Sequence, residues 1–314
     1  MRRKKNHPMV TLILVAIAGF VAQLVDGSLG MAFGVTATTG LLAVGTAPAV
    51  ASASVHLAEI GTATASGISH WRMGNVDWPV VRWLAVPGTI GGFLGATFLA
   101  WLSTDAAEPV MSTLLIALGL YVLLRFTLWT TPVRPRGITK SGRRWLLPLG
   151  LTAGFVDATG GGGWGPVSTT TLLSSGRLSP RRTVGSVDTS ELPVSLGASV
   201  GFLYALGGEA LSATVVGGLL IGGVLAAPLA AYLVRILPAR VIGTGAGGLI
   251  VLTNLQAVLD AVGVPGPARL ATSGVLAAGW VAAVVWAVRT SIAERRAAPD
   301  EDAEPADAHE PAGA

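Results

Sequence analysis

The sequence contains no cysteine. Disulfides, thiolate metal sites and cysteine nucleophiles are thereby excluded, and the redox compartment is left undetermined. Charge is scarce: 12% of the residues are Asp, Glu, Lys or Arg, about half of what soluble domains carry. Strand-type alternation is missing, which argues against a membrane β-barrel. No Gly-Lys-Ser/Thr follows the glycine-rich stretches, so a nucleotide P-loop is absent, and no cofactor is implied. Of the histidines, His7, His70 and His309 lie in tails or at a helix end, and His56 alone does not make a metal site. No nucleophile–base pair is visible, and the chain does not read as an enzyme.

What the chain has instead is apolar length. Hydrophobic residues make up 51% of it, and apolar runs of about 20 residues recur along most of its course. This predicts an all-α, multi-pass protein of the cell membrane, with the lipid bilayer as its solvent. The basic residues behind a pI near 10 sit in short connections between apolar runs, as positive-inside anchoring requires, and do not suggest nucleic acid. The expected order is a basic tail (1–8), a first transmembrane segment group (9–126), a basic cytoplasmic loop (127–144), a second group (145–262), an extra helix (267–290) and a tail (291–314). The last is rich in Ala, Pro, Asp and Glu and is expected to be disordered.

Two stretches break the apolar pattern. Phe155-Val-Asp-Ala-Thr-Gly-Gly-Gly-Gly-Trp-Gly-Pro166 places four consecutive glycines and a carboxylate inside an apolar segment. Glycine costs about 1 kcal/mol relative to alanine in a helix interior, and a carboxylate at bilayer depth costs several kcal/mol. A weaker copy, Val25-Asp-Gly-Ser-Leu-Gly-Met-Ala-Phe-Gly-Val35, aligns with it without gaps at an offset of 131 residues. Ile90-Gly-Gly-Phe-Leu94 matches Ile221-Gly-Gly-Val-Leu225 at the same offset, and Ser54-Val-His-Leu-Ala-Glu59 matches Ser186-Val-Asp-Thr-Ser-Glu191 at 132. The chain therefore reads as two homologous halves.

Each broken stretch is too long for one straight crossing and fits two half-length helices, as a broken helix or a re-entrant hairpin. With hairpins, each half has three full crossings and the halves are inverted, as in many secondary transporters. That arrangement puts the N-terminus outside and the C-terminus in the cytoplasm. It places the greater share of Lys and Arg inside, while Arg2 to Lys5 stand against it.

The half-helix after each break would begin at mid-membrane, with free N–H groups and the positive end of its dipole turned inward, which suits an anion. Asp26, Gly27, Ser28, Gly30 and Thr38 in the first half, and Asp157, Gly160, Gly161, Gly162, Gly163, Thr169 and Thr170 in the second, are the candidate substrate-binding residues. Asp26 and Asp157 equally fit a structural role as caps of the following half-helices. Small residues in such a break also serve tight helix packing. His56 and Glu59 on one helix, and Asp188 and Glu191 on its counterpart, lie at helical spacing on one face together with Ser52, Ser66, Ser195 and Ser199. They form either a coupling site, with protons as the partner ion, or a buried hydrogen-bond network.

At these motifs the chain resembles the sulfite exporter TauE/SafE family of membrane permeases. The residues that carry the likeness are Gly154 to Pro166, their copy around Asp26, Ser52-Ala-Ser-Val-His-Leu-Ala-Glu59 and Ser69-His-Trp-Arg-Met-Gly-Asn-Val76. The resemblance implies a permease for a small sulfur-containing anion such as sulfite or an organosulfonate. The first half lacks the glycine run and the proline, and the helix at 267–290 is an addition to an eight-segment pattern. An anion channel and an intramembrane structural or signalling protein are the alternatives. Oligomeric state and the direction of transport are not readable from the residues.

Overall fold

The computed structural model describes residues 8–29, 31–128, 137–139, 141–208, 211–236 and 238–297. The basic run Arg2 to Lys5, Gly30, residues 129–136 and 140 of the basic loop and the chain beyond Ala297 lie outside the described residues. Among those described, the structure is helical and contains no strand.

The first half consists of α1 (Pro8–Leu29), α2 (Phe33–Ala43), α3 (Pro48–Arg72), α4 (Trp78–Trp101) and α5 (Thr104–Leu128). The second consists of α6 (Leu146–Gly160), a π-helical turn (Gly165–Thr169) leading into α7 (Thr170–Ser174), α8 (Pro180–Leu206), α9 (Ala213–Ile236) and α10 (Ala239–Ala261). The extra helix, α11, runs Gly266–Ala297. It continues past the apolar stretch expected to end at 290, because Ala, Glu and Arg are good helix formers and hydropathy marks the bilayer slab rather than the helix end. Helix starts follow local chemistry. Proline occupies the first turn of α3, α4 and α8, where its missing N–H costs nothing. Asp77 Oδ1 accepts from Val80 N at 3.2 Å and caps α4.

Among the described residues, five helices are long and apolar enough to cross a membrane: α1, α4, α5, α10 and α11. α3 and α8, at 25 and 27 residues, are long enough but less apolar, because their serines and acids face each other. Val86, Ile90 and Phe98 on α4, with Ile13 and Ile17 on α1, are exposed. In water they would form an aggregation-prone patch; against lipid tails they are the ordinary outer surface. Trp71, Trp78 and Trp101 stand exposed at helix ends, where aromatic residues meet the headgroups.

The helix pairings follow a regular pattern. α3 lies against α8 and runs antiparallel to it, with Ser66 beside Asp188 and Glu59 beside Ser195. α5 lies against α10, again antiparallel, with Thr127 beside Thr244 and Gly119 against Ile250. α1 packs on α9, and α6 packs on α4. These last two interfaces are built on glycine. At Gly91 of α4 an added Cβ would strike the Leu151 carbonyl, and at Gly222 of α9 it would strike the Ala16 carbonyl. Close backbone approach of this kind is how helices associate where lipid supplies no hydrophobic drive. α11 packs on α10, where Gly248 receives the Trp280 ring and Trp280 Nε1 donates to the Thr244 carbonyl at 3.1 Å.

Gly91→Leu or Gly222→Leu is expected to lower the thermal midpoint of the detergent-solubilised protein sharply, because overpacking of a close interface costs about 1–3 kcal/mol or more. Gly217→Ala, on the same α9 with nothing within 4 Å of its Cβ position, should be neutral or stabilising by up to about 1 kcal/mol. Equal effects at Gly217 and Gly222 would show that the glycines do not set the interface.

Candidate functional site

Both glycine breaks occur; each begins about one turn later than the residues suggest, while the half-helices that follow begin at Phe33 and Gly165. The sequence reading placed them near 26–30 and 157–163. Instead α1 continues through Leu29 and α6 through Gly160, so each aspartate stands in the last turn before its break. From there it reaches across. Asp26 Oδ1 accepts from Phe33 N at 3.1 Å. Asp157 Oδ1 accepts from Gly163 N at 2.7 Å and from Trp164 N at 2.9 Å. Each carboxylate therefore caps the half-helix that follows it, satisfying N–H groups that have no water to turn to. The second break turns through Gly161 and Gly162 at φ 70 and 143, conformations that favour glycine. The first turns through Ala32 at φ 99, a strained value for a residue with a Cβ.

The first broken stretch is a hairpin. Phe33 bonds back to Asp26, and further along a side chain at Gly40 would strike Ala18, so α2 retraces α1. The tips of the two breaks then meet. Thr38 Oγ1 donates to the Gly161 carbonyl, Gly162 lies against the backbone of Gly34 and Val35, and Gly165 lies against Met31. A Cβ at Gly34 or Gly162 would strike the other tip's backbone, which is the physical need for glycine at these two positions. Trp164 is fully buried behind the second tip, its Nε1 donating to the Val187 carbonyl at 3.1 Å.

α3 and α8 bring their polar faces to the tips. His56 Nδ1 and Glu59 Oε2 share a hydrogen bond of 2.8 Å, and Asp157 Oδ2 lies 3.9 Å from His56 Nδ1. Ser195 Oγ donates to Glu59 Oε2 at 3.4 Å. Nearer the end of the molecule where α3 finishes, Ser66 Oγ donates to Asp188 Oδ2 at 2.9 Å and His70 Nε2 lies 3.4 Å from the same oxygen. Two fully buried atoms, His56 Nε2 and Asp157 Oδ2, have no hydrogen-bond partner among the described residues.

A cavity of about 80 Å³ lies between the tips and these helices. Asp26, Glu59, Asp157, Asp188 and Glu191 line it, with the backbone of 31–35 and 162–166. It leads from buried Glu59 toward Asp188 and His70, each of which keeps 20% of its side chain exposed. Toward the opposite end the tip-to-tip contact closes it. Beyond that contact, at the end where α2 finishes and α5 begins, lies a wider vestibule of about 300 Å³, lined by Glu108, Asn254, Asp260 and Arg269 among others. Buried Asn254 donates to Thr39 Oγ1 at 3.0 Å, so α2 stands between cavity and vestibule.

Not every candidate residue reaches the cavity. Thr170 Oγ1 donates to the Pro166 carbonyl within its own helix. Gly160 faces Leu114. Thr38 is engaged with Gly161, and Thr169 is buried without a partner among the described residues. Gly27 and Ser28 fall in the last turn of α1, and Gly30 lies outside the described residues. The sequence reading missed Gln23 and Thr62, which line the cavity, and Asn254. Gln23, one turn before Asp26, and Asn254, between Thr253 and Gln256, each put an amide into an otherwise apolar helix, and that was the available signal.

Asp157→Ala should cost about 1–2 kcal/mol or more of stability, because a charge-assisted cap to two buried N–H groups is lost. Asp157→Asn keeps an acceptor and should retain most of it. Thermal unfolding of the purified variants checks this, and equal loss in both would show that the charge, not the cap, holds the tip.

A family model described as sulfite exporter TauE/SafE matches residues 15–257. A Bacillus subtilis (strain 168) protein named "Probable membrane transporter protein YtnM" is 50% identical over 252 residues, covering 80% of this chain and 84% of the relative. A second protein of the same organism, "Probable membrane transporter protein YdhB", is 24% identical over 196 residues, covering 62% of this chain and 77% of the relative. No solved structure matches significantly. With helices that can span a bilayer, two capped breaks meeting at a buried polar cavity, and a family match over most of its length, the chain belongs to the sulfite exporter TauE/SafE family of membrane transporters.

Proposed function

We propose that the protein is a secondary transporter of a small oxyanion of the sulfite or sulfonate class, and that protons travel with it. The observation that carries this reading is the cavity at which two half-helices begin. The N-termini of α2 and of the helix from Gly165 both abut it, so the positive ends of two dipoles meet there. Its volume suits a few water molecules or an ion of similar size.

The acids around the cavity set the second part of the proposal. Asp26 and Asp157 are committed to capping. Glu59 and Glu191 also line the cavity, and like charge at close range in a low dielectric repels an anion. Protons that enter with the anion would offset this repulsion, and the anion leaves as they are released. The closed contact between Thr38 and Gly161 favours alternating access over a continuously open channel.

The helix pairings support an inverted relation between the halves. A two-fold axis in the membrane plane turns α3 into α8 and α5 into α10, leaving each pair antiparallel, and exchanges the α1–α9 contact with that of α6 on α4. Arg143 and Arg144 precede α6 at the end where α3 finishes, so the positive-inside rule makes that end cytoplasmic and the observed cavity inward-open. The C-terminal end of α11 lies on the same side.

Purified protein in proteoliposomes should carry sulfite or a small sulfonate, faster with an inward proton gradient. Gly161→Leu and Gly162→Leu should abolish this with the protein still inserted. Glu59→Gln or Glu191→Gln should leave residual anion flux that no longer responds to the gradient. Absence of flux for sulfite, sulfonates and sulfate in folded protein would sink the anion assignment. Unchanged flux with and without the gradient would sink the proton coupling.

A further inference from the structure

The two hairpins are built alike at their tips but are seated differently on the helices that carry them. At the tips the equivalence holds at an offset of 131 residues: Asp26 to Phe33 N corresponds to Asp157 to Trp164 N, and Thr36 N to the Ala32 carbonyl corresponds to Val167 N to the Gly163 carbonyl. The carrier helices keep this offset, with Gly91 of α4 corresponding to Gly222 of α9. The seats do not. Gly91 faces the Leu151 carbonyl and Phe155 N, whereas Gly222 faces the Ala16 carbonyl and Phe20 N. Gly154 faces the Gly88 carbonyl, whereas Gly19 faces that of Leu219. Both comparisons place α1 four residues out of step with α6. The first hairpin thus reaches one helical turn, about 6 Å, further along its carrier than the second does.

We propose that transport exchanges these two registers, and that Gln23 is the positioning residue that holds the hairpins in the observed one. The hairpins enter from opposite ends of the molecule, because α1 runs parallel to α9, α6 runs parallel to α4, and α4 and α9 are antiparallel. Withdrawal of the first by a turn and advance of the second by a turn are therefore movements in the same direction, toward the Asn254 vestibule. The tips travel together with the Thr38–Gly161 contact intact, and the cavity moves with them by about one turn, from the Asp188 side toward the vestibule. One-turn shifts of packed helices are an established kind of switching movement.

The sequence equips one interface for both registers. Gly150 lies one turn before Gly154, so the Gly88 carbonyl meets a glycine in either seat. Gly150 now rests against the Leu84 carbonyl. On the other interface the residue that would move opposite Leu219 is Gln23, where α6 has Gly154. A side chain there forces α1 away from α9. In the observed register Gln23 instead has room, its Cβ 4.0 Å from the Cβ position of Gly223. Bonds from the hairpins to their surroundings part in the movement, among them Ser52 Oγ to the Ala158 carbonyl at 2.6 Å, Thr159 Oγ1 to the Gly95 carbonyl at 3.3 Å, Trp164 Nε1 to the Val187 carbonyl at 3.1 Å, and Asn254 to Thr39.

The inference rests on the protein's being a transporter and not on the identity of its substrate, and its test needs no substrate. The chain has no native cysteine, so paired cysteines report directly on register. Val15→Cys with Gly218→Cys places two Cβ positions 3.2 Å apart in the observed register and should form a disulfide readily in native membranes. Val15→Cys with Thr214→Cys, one turn along α9, should form one slowly, through the second register. Adding Gln23→Gly should raise the yield of this second disulfide several-fold, while the Val15–Gly218 pair in the same background confirms the fold. No Val15–Thr214 disulfide in either background would overturn the proposal. So would a yield that Gln23→Gly leaves unchanged. If the Gln23→Gly variant does not fold, the Val15–Thr214 pair in the unaltered background decides.

Discussion

The structure depends on two carboxylates placed where a helix stops partway through the helical bundle. A break at that depth strands N–H groups away from water, and each unpaired group costs several kcal/mol in hydrocarbon. Asp157 takes two of them and Asp26 takes one. With the breaks held open in this way, the chain can turn back through glycine, the tips can approach backbone to backbone, and a small cavity is left where the half-helices begin. The capping and the proposed binding of an anion draw on the same physical resource, the positive end of a helix. The aspartates use part of it, and the remainder faces the cavity.

The surrounding helices divide the work. α4, α5, α10 and α11 turn apolar side chains outward and meet their own neighbours, α6 and α8 for α4, through small residues. α3 and α8 keep their polar faces for each other and for the tips, which is why they fall short of ordinary hydropathy for a span. The acids they bring to the cavity conflict with an anionic cargo unless protons accompany it. That conflict gives the proposed coupling a physical cause.

Much of this was legible in the residues because polarity inside an apolar stretch is conspicuous. Asp157 with its four glycines, its copy at Asp26, and the faces of His56–Glu59 and Asp188–Glu191 stand out without any structure. The all-helical membrane fold followed from run length. What could not be read were contacts that depend on shape between distant segments. Thr38 meets Gly161 across 123 residues, and nothing local marks it. Trp164, beside a break, is wholly buried, and nothing local marks that either. Each break begins one turn later than composition suggests, because a cap must stand upstream of the N–H groups it serves. The extent of α11 was missed because helix formers continue past the apolar slab.

The central claim is that a small oxyanion sits where the two tips meet. Selenite, a sulfite analogue with a strong anomalous scatterer, can be located directly in crystals of the protein. The account predicts a peak between the tips, within hydrogen-bond reach of the backbone at 34–35 or 163–165 and beside Glu59. A peak confined to the vestibule around Arg269, or none at the tips in protein that transports selenite, would contradict it.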